Sequence, residues 1–284
     1  MAAFHSLLAR AGRSPASQWA IDQACRLRDA SGRALGREDP MVPPTRLMFD
    51  GPRGVRAYRR NGAEFLRHFR VLGGLDPNED VLDVGCGIGR KMMPLTGYLS
   101  PEARYEGFDI NPVGVEWCAR TVTPRHPNFR FQVADVHNAH YNPSGTRRAS
   151  DYAFPFEDES FDFAFVGSVF THMVPEEVDN YLGEVARVLR PGGRMLATFF
   201  LLNADAEAAM RSGRAAYDFR FARDGHRVVD ADDPEYAVAY PEADVLAALS
   251  RHGLALRAPV HHGSWTGQAG GESFQDIVVA TKPR

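Results

Sequence analysis

From residue 80 onward, short apolar runs alternate with stretches of helical period. "DVLDVG" (80–85), "RYEGFDI" (104–110) and "FRFQVAD" (129–135) read as strands, each ending in glycine or close to an acid. "FDFAFVGSVF" (161–170) and "RMLATFFLL" (194–202) are nearly continuous apolar runs, the pattern of strands buried on both faces. Between them, "PEEVDNYLGEVARVLRPGG" (175–193) carries Val178, Leu182, Val185 and Leu189 on one stripe. Pro175 suits a first helical position, Glu176 and Glu177 complement the positive first turn, and Pro191-Gly192-Gly193 ends the pattern. "PVGVEWCARTV" (112–122), "EADVLAALSRHG" (242–253) and residues 17–37 and 53–73 also read as helices, with further strands near 254–261 and over "FQDIVVAT" (274–281). Such alternation predicts a parallel sheet with helices on both faces. Two stretches break it. Residues 136–155 and 203–241 lack a clean period, and long irregular stretches in a compact domain are usually functional loops, here read as a cap over a substrate.

Composition changes this picture little. With 284 residues, 44% hydrophobic and 24% charged, the chain can bury a sizeable core. A net charge of −3 gives no basic field for nucleic acid. Cys25, Cys86 and Cys118 are scattered, so neither a disulfide framework nor a zinc site is indicated, and a reducing, cytoplasmic setting is expected. No apolar run reaches the roughly 20 residues of a membrane span. "MAAFHSLLARAGRS" at the start is a poor signal peptide and reads as part of an N-terminal arm.

The candidate chemistry begins at "VLDVGCGIGR" (81–90). A glycine-rich turn between strand and helix lets backbone N–H groups approach a ligand, because no Cβ intervenes. Gly85, Gly87 and Gly89 are spaced GxGxG, and Arg90 stands where the dinucleotide pattern has its third glycine. There is no GK[ST] either. A tight turn with packing glycines would look the same, but two acids follow in register. Asp109, ending the second strand, can accept from ribose hydroxyls, and Asp135, after the third, can accept from an adenine amino group while the Val136 N–H donates to the ring.

Together, "VLDVGCGIG", "YEGFDINP", "FQVAD", "FPFEDESFDFAFVGSVFTHM" and "EVARVLRPGGRMLATFF" resemble the small-molecule branch of the class I S-adenosylmethionine-dependent methyltransferases. The resemblance implies an α/β, Rossmann-like fold. It would have a seven-stranded, mostly parallel sheet with an antiparallel last strand, an N-terminal helical arm (1–52) and a methyltransferase domain (53–284). By position it places Asp83, Gly85, Cys86, Gly87 and Gly89 around the methionine part of S-adenosylmethionine, Asp109 and Ile110 at the ribose and adenine face, Asp135 and Val136 at the adenine edge, and Ser168 beside the sulfonium. The link after Asp135 is longer than the family's. Where methyltransferases of nucleobase amines carry [DN]PP[YF], this chain reads "GSVFTHM".

The sulfonium is already activated, so positioning dominates, at about 7–11 kcal/mol. A hydroxyl acceptor needs a base as well, worth about 10²–10⁴-fold. His172, just past the fourth strand, is the first candidate, with His140 and His261 behind it; His137 and His262 lie nearby in the chain. Tyr141 and Tyr240 are candidate pocket residues, and no metal-ligand set stands out. Arg53, Arg56, Arg59, Arg60, Arg67 and Arg70 form either a solvated helix face or a dock for an anionic acceptor. The expectation is O-methylation of a small molecule such as a sugar, glycolipid or secondary metabolite, by a protein able to act as a homodimer. The alternatives are N-methylation of an amine metabolite and a non-catalytic cofactor-binding subunit.

Overall fold

The computed structural model describes Gln23 and residues 39–284. The remainder of the expected helix over 17–37, together with Cys25, lies outside the described residues. Among the described residues ahead of helix α1 (Val55–Val71) is a short 3-10 turn, Thr45–Leu47.

Seven strands form the main sheet: β1 (Val81–Val84), β2 (Tyr105–Asp109), β3 (Phe129–Val133), β4 (Phe161–Val166), β5 (Leu189–Phe199), β10 (Ala255–Leu256) and β11 (Asp276–Thr281). Their order is β10-β11-β5-β4-β1-β2-β3. β1, β2, β3, β4 and β5 run parallel, and β11 is antiparallel to both its neighbours. The sheet is the expected one. Side chains alternate between two cores. Leu82, Val84, Ala164, Val166, Met195 and Ala197 pack against α3 (Pro175–Val188) and α5 (Glu242–Arg251). Val81, Phe163, Phe165 and Leu196 pack against α1 and α2 (Pro112–Thr121) on the other face. Four apolar side chains of this length, fully buried, contribute about 1.5–3 kcal/mol each.

Boundaries shift where packing overrides local signals. The periodic helix over 175–193 ends at Val188, because Leu189 turns extended at the helix end. Pro191 and the two glycines then enter β5, which is irregular against β4 between Phe161 and Phe163. Residues 203–241 are also more ordered than their pattern suggests. They hold α4 (Ala204–Arg211), the hairpin β7 (Phe221–Arg223) and β8 (His226–Val228), and β9 (Val238–Pro241). With β6 (Leu201–Leu202) these make a small sheet in the order β6-β9-β8-β7. A third apolar cluster of Phe200, Phe219 and Trp265 supports it, and the short irregular residues of the sequence hide that support. Among the described residues, no helix is long and apolar enough to cross a membrane.

Candidate functional site

A cavity of about 290 Å³ opens at the C-terminal ends of β1, β2 and β4, where open parallel sheets place ligands. The glycine loop forms one wall. Gly85 and Gly87 adopt φ of 82° and 54°, the left-handed region that glycine enters without strain. They also leave room that a side chain would take. A Cβ on Gly85 would stand 2.2 Å from Val169 Cγ2, and one on Gly87 would stand 2.6 Å from Asp50 Oδ2.

Asp109 faces this loop from the end of β2. Its carboxylate accepts from the Gly87 N–H at 2.7 Å and the Asn111 N–H at 2.8 Å. Burial raises its pKa to about 6, against the lowering effect of those two donors. Two oxygens offer about four lone-pair positions, so Asp109 retains capacity for a ligand. Val84, Gly85, Gly87, Asp109, Ile110, Val136, Ser168 and His172 all line the cavity.

Other expected residues stand elsewhere. Asp83 is buried beneath the wall, where it accepts from the Tyr105 hydroxyl at 2.5 Å, and burial raises its pKa to about 7. Cys86 is buried, and Gly89 packs near Met92 and Cys118; neither lines the cavity. Asp135 is exposed and also outside the wall. Its carboxylate accepts from the Thr146 N–H and hydroxyl, because the following loop folds back through the Val136–Arg147 bridge.

The histidines separate in the same way. His172 ends a short turn after β4 and lines the cavity. Its Nδ1 lies 2.8 Å from the Glu235 carbonyl, which can only accept, so Nδ1 carries the proton. The lone pair of the neutral ring is therefore on Nε2. Burial lowers the His172 pKa and favours that neutral form. His140 is exposed, with Nε2 at 2.6 Å from Asp233, and His261 pairs by backbone with Ile277; neither lines the cavity. Tyr141 lies in the wall, at a ring distance of 6.0 Å from His172. Tyr240 does not. It is buried, and its hydroxyl donates to the carbonyls of Phe170 and Met173, bracing the turn that carries His172.

The sequence reading did not single out Phe49, Asp50, Lys91, Glu177 and Glu235, all in the wall. Arg90 explains the first two. Its guanidinium, 2% exposed, reaches Asp50 Oδ1 at 3.0 Å and the Pro52 carbonyl at 3.3 Å, and lies over the Tyr58 ring. The residue that breaks the dinucleotide pattern thus fastens the preceding segment across the glycine loop. Glu235 comes from the stretch over 203–241 and accepts from the Asn138 side-chain amide at 2.7 Å, joining the two irregular stretches beside the cavity. The six arginines of 53–70 are exposed; Arg59 pairs with Asp39, Arg67 with Glu272, and Arg70 lies over Tyr98, which fits a solvated face.

The strand order, the bare glycine loop and the acid at the end of β2 define a class of fold, that of the class I S-adenosylmethionine-dependent methyltransferases. Residues 81–193 match the family described as methyltransferase domain. The phthiotriol/phenolphthiotriol dimycocerosates methyltransferase 1 of Mycobacterium ulcerans (strain Agy99) is 34% identical over 165 residues, 57% of this chain and 49% of that protein. The phthiotriol/phenolphthiotriol dimycocerosates methyltransferase of Mycobacterium tuberculosis (strain ATCC 25177 / H37Ra) is 31% identical over 199 residues, 66% of this chain and 63% of that one. The matches span less than two thirds of either relative. A solved protein of Pyrococcus horikoshii OT3 shares the fold with a TM-score of 0.55 at 18% identity, covering 86% of this chain and 97% of its own.

Proposed function

We propose that the protein methylates a hydroxyl group of a small-molecule or lipid acceptor, with His172 as general base. The observation that carries this reading is the tautomer of His172. The Glu235 carbonyl takes the Nδ1 proton, and burial disfavours the imidazolium, so a basic nitrogen belongs to the wall that also contains Gly85 and Asp109. An amine acceptor that arrives neutral needs no such group. The names of the curated relatives, which contain a triol and a lipid, support the same acceptor class.

When bound, S-adenosylmethionine supplies a methyl group already activated by its sulfonium. The residues present fit it: Asp109 has lone pairs for ribose hydroxyls, Gly85 and Gly87 leave backbone bare, and Ile110 and Val136 offer apolar surface to the adenine. Ser168 contributes to the wall at the end of β4. Its hydroxyl donates to Gln275 Oε1 at 2.9 Å, so its own lone pairs remain available. His172 Nε2 would take the acceptor's hydroxyl proton, and Tyr240 and Glu235 would keep the ring in place. Residues 53–284 would form the methyltransferase domain, with Phe49 and Asp50 of the preceding arm completing the cavity.

The test incubates purified protein and S-adenosylmethionine with a panel of hydroxylated metabolites and lipids. A product heavier by one CH₂ and stable to acid and base as an ether is the expected result. Methylation confined to amines would overturn the hydroxyl reading.

A further inference from the structure

We propose that Lys91 is the residue that binds the carboxylate at the amino-acid end of S-adenosylmethionine. The inference rests on that cofactor occupying the cavity. Asp50, Asp109, Glu177 and Glu235 all line the cavity, and among the described residues Lys91 is the only lysine or arginine that does. The cofactor carries a single anionic group, its carboxylate. Placed among four acids without a cation, that group would lose its hydration and meet like charge.

Lys91 is built into the wall rather than draped over it. Its Nζ donates to the Gly167 carbonyl at 2.9 Å. A Cβ on Gly167 would stand 2.5 Å from Cε and 2.8 Å from Cδ, so the stem lies flat along bare backbone after β4. The Phe65 ring is 5.1 Å from Nζ, a cation–π contact that further confines the ammonium. An ammonium has three donors. The hydrogen bonds of the described residues use one, to Gly167, and leave two for a ligand. Burial lowers the Lys91 pKa, a cost that a partner carboxylate would relieve.

Position along the cavity agrees. Asp109 stands at the end of β2, and Val169, in the segment after β4, closes on Gly85. Lys91 lies against Gly167 in that same segment. The carboxylate of the cofactor lies beyond its ribose, past the sulfonium, and the two proposed anchors come from different parts of one wall, Asp109 from the end of β2 and Lys91 from beside the segment after β4.

Calorimetry with two ligands tests this. S-adenosylhomocysteine carries the amino-acid end, and 5′-methylthioadenosine keeps the nucleoside and sulfur without it. Lys91→Met should weaken S-adenosylhomocysteine about ten- to a hundred-fold, the scale of a hydrogen bond to a charged group, and leave 5′-methylthioadenosine unchanged. Lys91→Arg should recover part of the loss. Should Lys91→Met fold poorly, Lys91→Gln gives the same comparison with a polar stem. Equal weakening of both ligands, or full S-adenosylhomocysteine affinity in the Met and Gln variants, would overturn the proposal and leave the cofactor assignment standing. Wild-type protein that binds neither ligand would overturn both.

Discussion

The Nδ1 of His172 donates to the backbone carbonyl of Glu235, 63 residues away in the chain, at 2.8 Å. The contact joins the turn after β4 to the stretch over 203–241 and sets which nitrogen holds the proton. Because burial lowers the His172 pKa from 6.5, the neutral ring should persist below that pH. The acid limb of kcat with a hydroxyl acceptor should therefore lie below pH 6.5. His172→Ala should lower kcat by roughly 10²-fold and remove that limb, with S-adenosylhomocysteine affinity little changed. A variant with near-normal kcat and the same limb would show that His172 only shapes the turn.

Asp109 predicts a different pH dependence, in binding. Its pKa of about 6 lies above the ordinary carboxylate value because burial outweighs its two N–H donors. Ionised Asp109 accepts better than the protonated acid, so wild-type S-adenosylhomocysteine affinity should fall as pH drops through about 6. The sign for stability is opposite. A raised folded pKa means the native state holds the proton more tightly, so this group favours the native apo protein increasingly as pH falls from above 6 toward 3.8. Asp109→Ala should cost about ten- to a hundred-fold in affinity. Asp109→Asn should flatten the pH dependence. Asp83 titrates nearby at about 7, bonded to Tyr105 below the wall, and Asp83→Asn serves as the control.

These residues show what was legible in the sequence. The glycine loop and Asp109 were, because a strand, a bare turn and an acid at the next strand end are local patterns with one geometric purpose. The sheet was legible for the same reason, since its strands are continuous apolar runs. Asp135 has the same local look as Asp109, but Thr146 takes its carboxylate, and nothing near 135 announces that the loop returns. His140 is similarly claimed by Asp233, from the other irregular stretch. Lys91, Asp50 and Glu235 were illegible because each is an ordinary surface residue type. Only the fold brings them to one wall.

Asp276 predicts a structural effect away from the cavity. It is 1% exposed, yet its carboxylate accepts from the Gly263 N–H at 2.7 Å, the Leu201 N–H at 2.7 Å and Trp265 Nε1 at 2.8 Å. It therefore fastens β11 to the start of the small sheet. Asp276→Ala would strand three buried donors, each costing about 1–3 kcal/mol. Urea unfolding should show a loss of about 3 kcal/mol or more, and a loss below 1 kcal/mol would mean that the donors find other partners.

The Arg90–Asp50 pair makes the last prediction, because it separates an anchoring role from simple charge. Arg90 is nearly inaccessible, whereas the Asp50 side chain is 22% exposed. Asp50→Ala would leave the guanidinium with the Pro52 carbonyl and the Tyr58 ring. Removing one partner of a buried pair costs about 3–5 kcal/mol, and the exposure of Asp50 places this case at the lower end. Replacing both partners, as Asp50→Ala with Arg90→Met, removes the stranded charge, so the double variant should be more stable than Asp50→Ala alone. Cofactor binding should not recover with it. Asp50 and Gly51 belong to the cavity wall, and the double variant loses both the Arg90–Asp50 pair and the Arg90 bond to the Pro52 carbonyl that hold that segment across the glycine loop. Urea melts and S-adenosylhomocysteine calorimetry on the two single variants and the double one test both halves. Stability restored together with full affinity would mean that the segment keeps its place without the pair, and that Arg90 matters to the site only through charge.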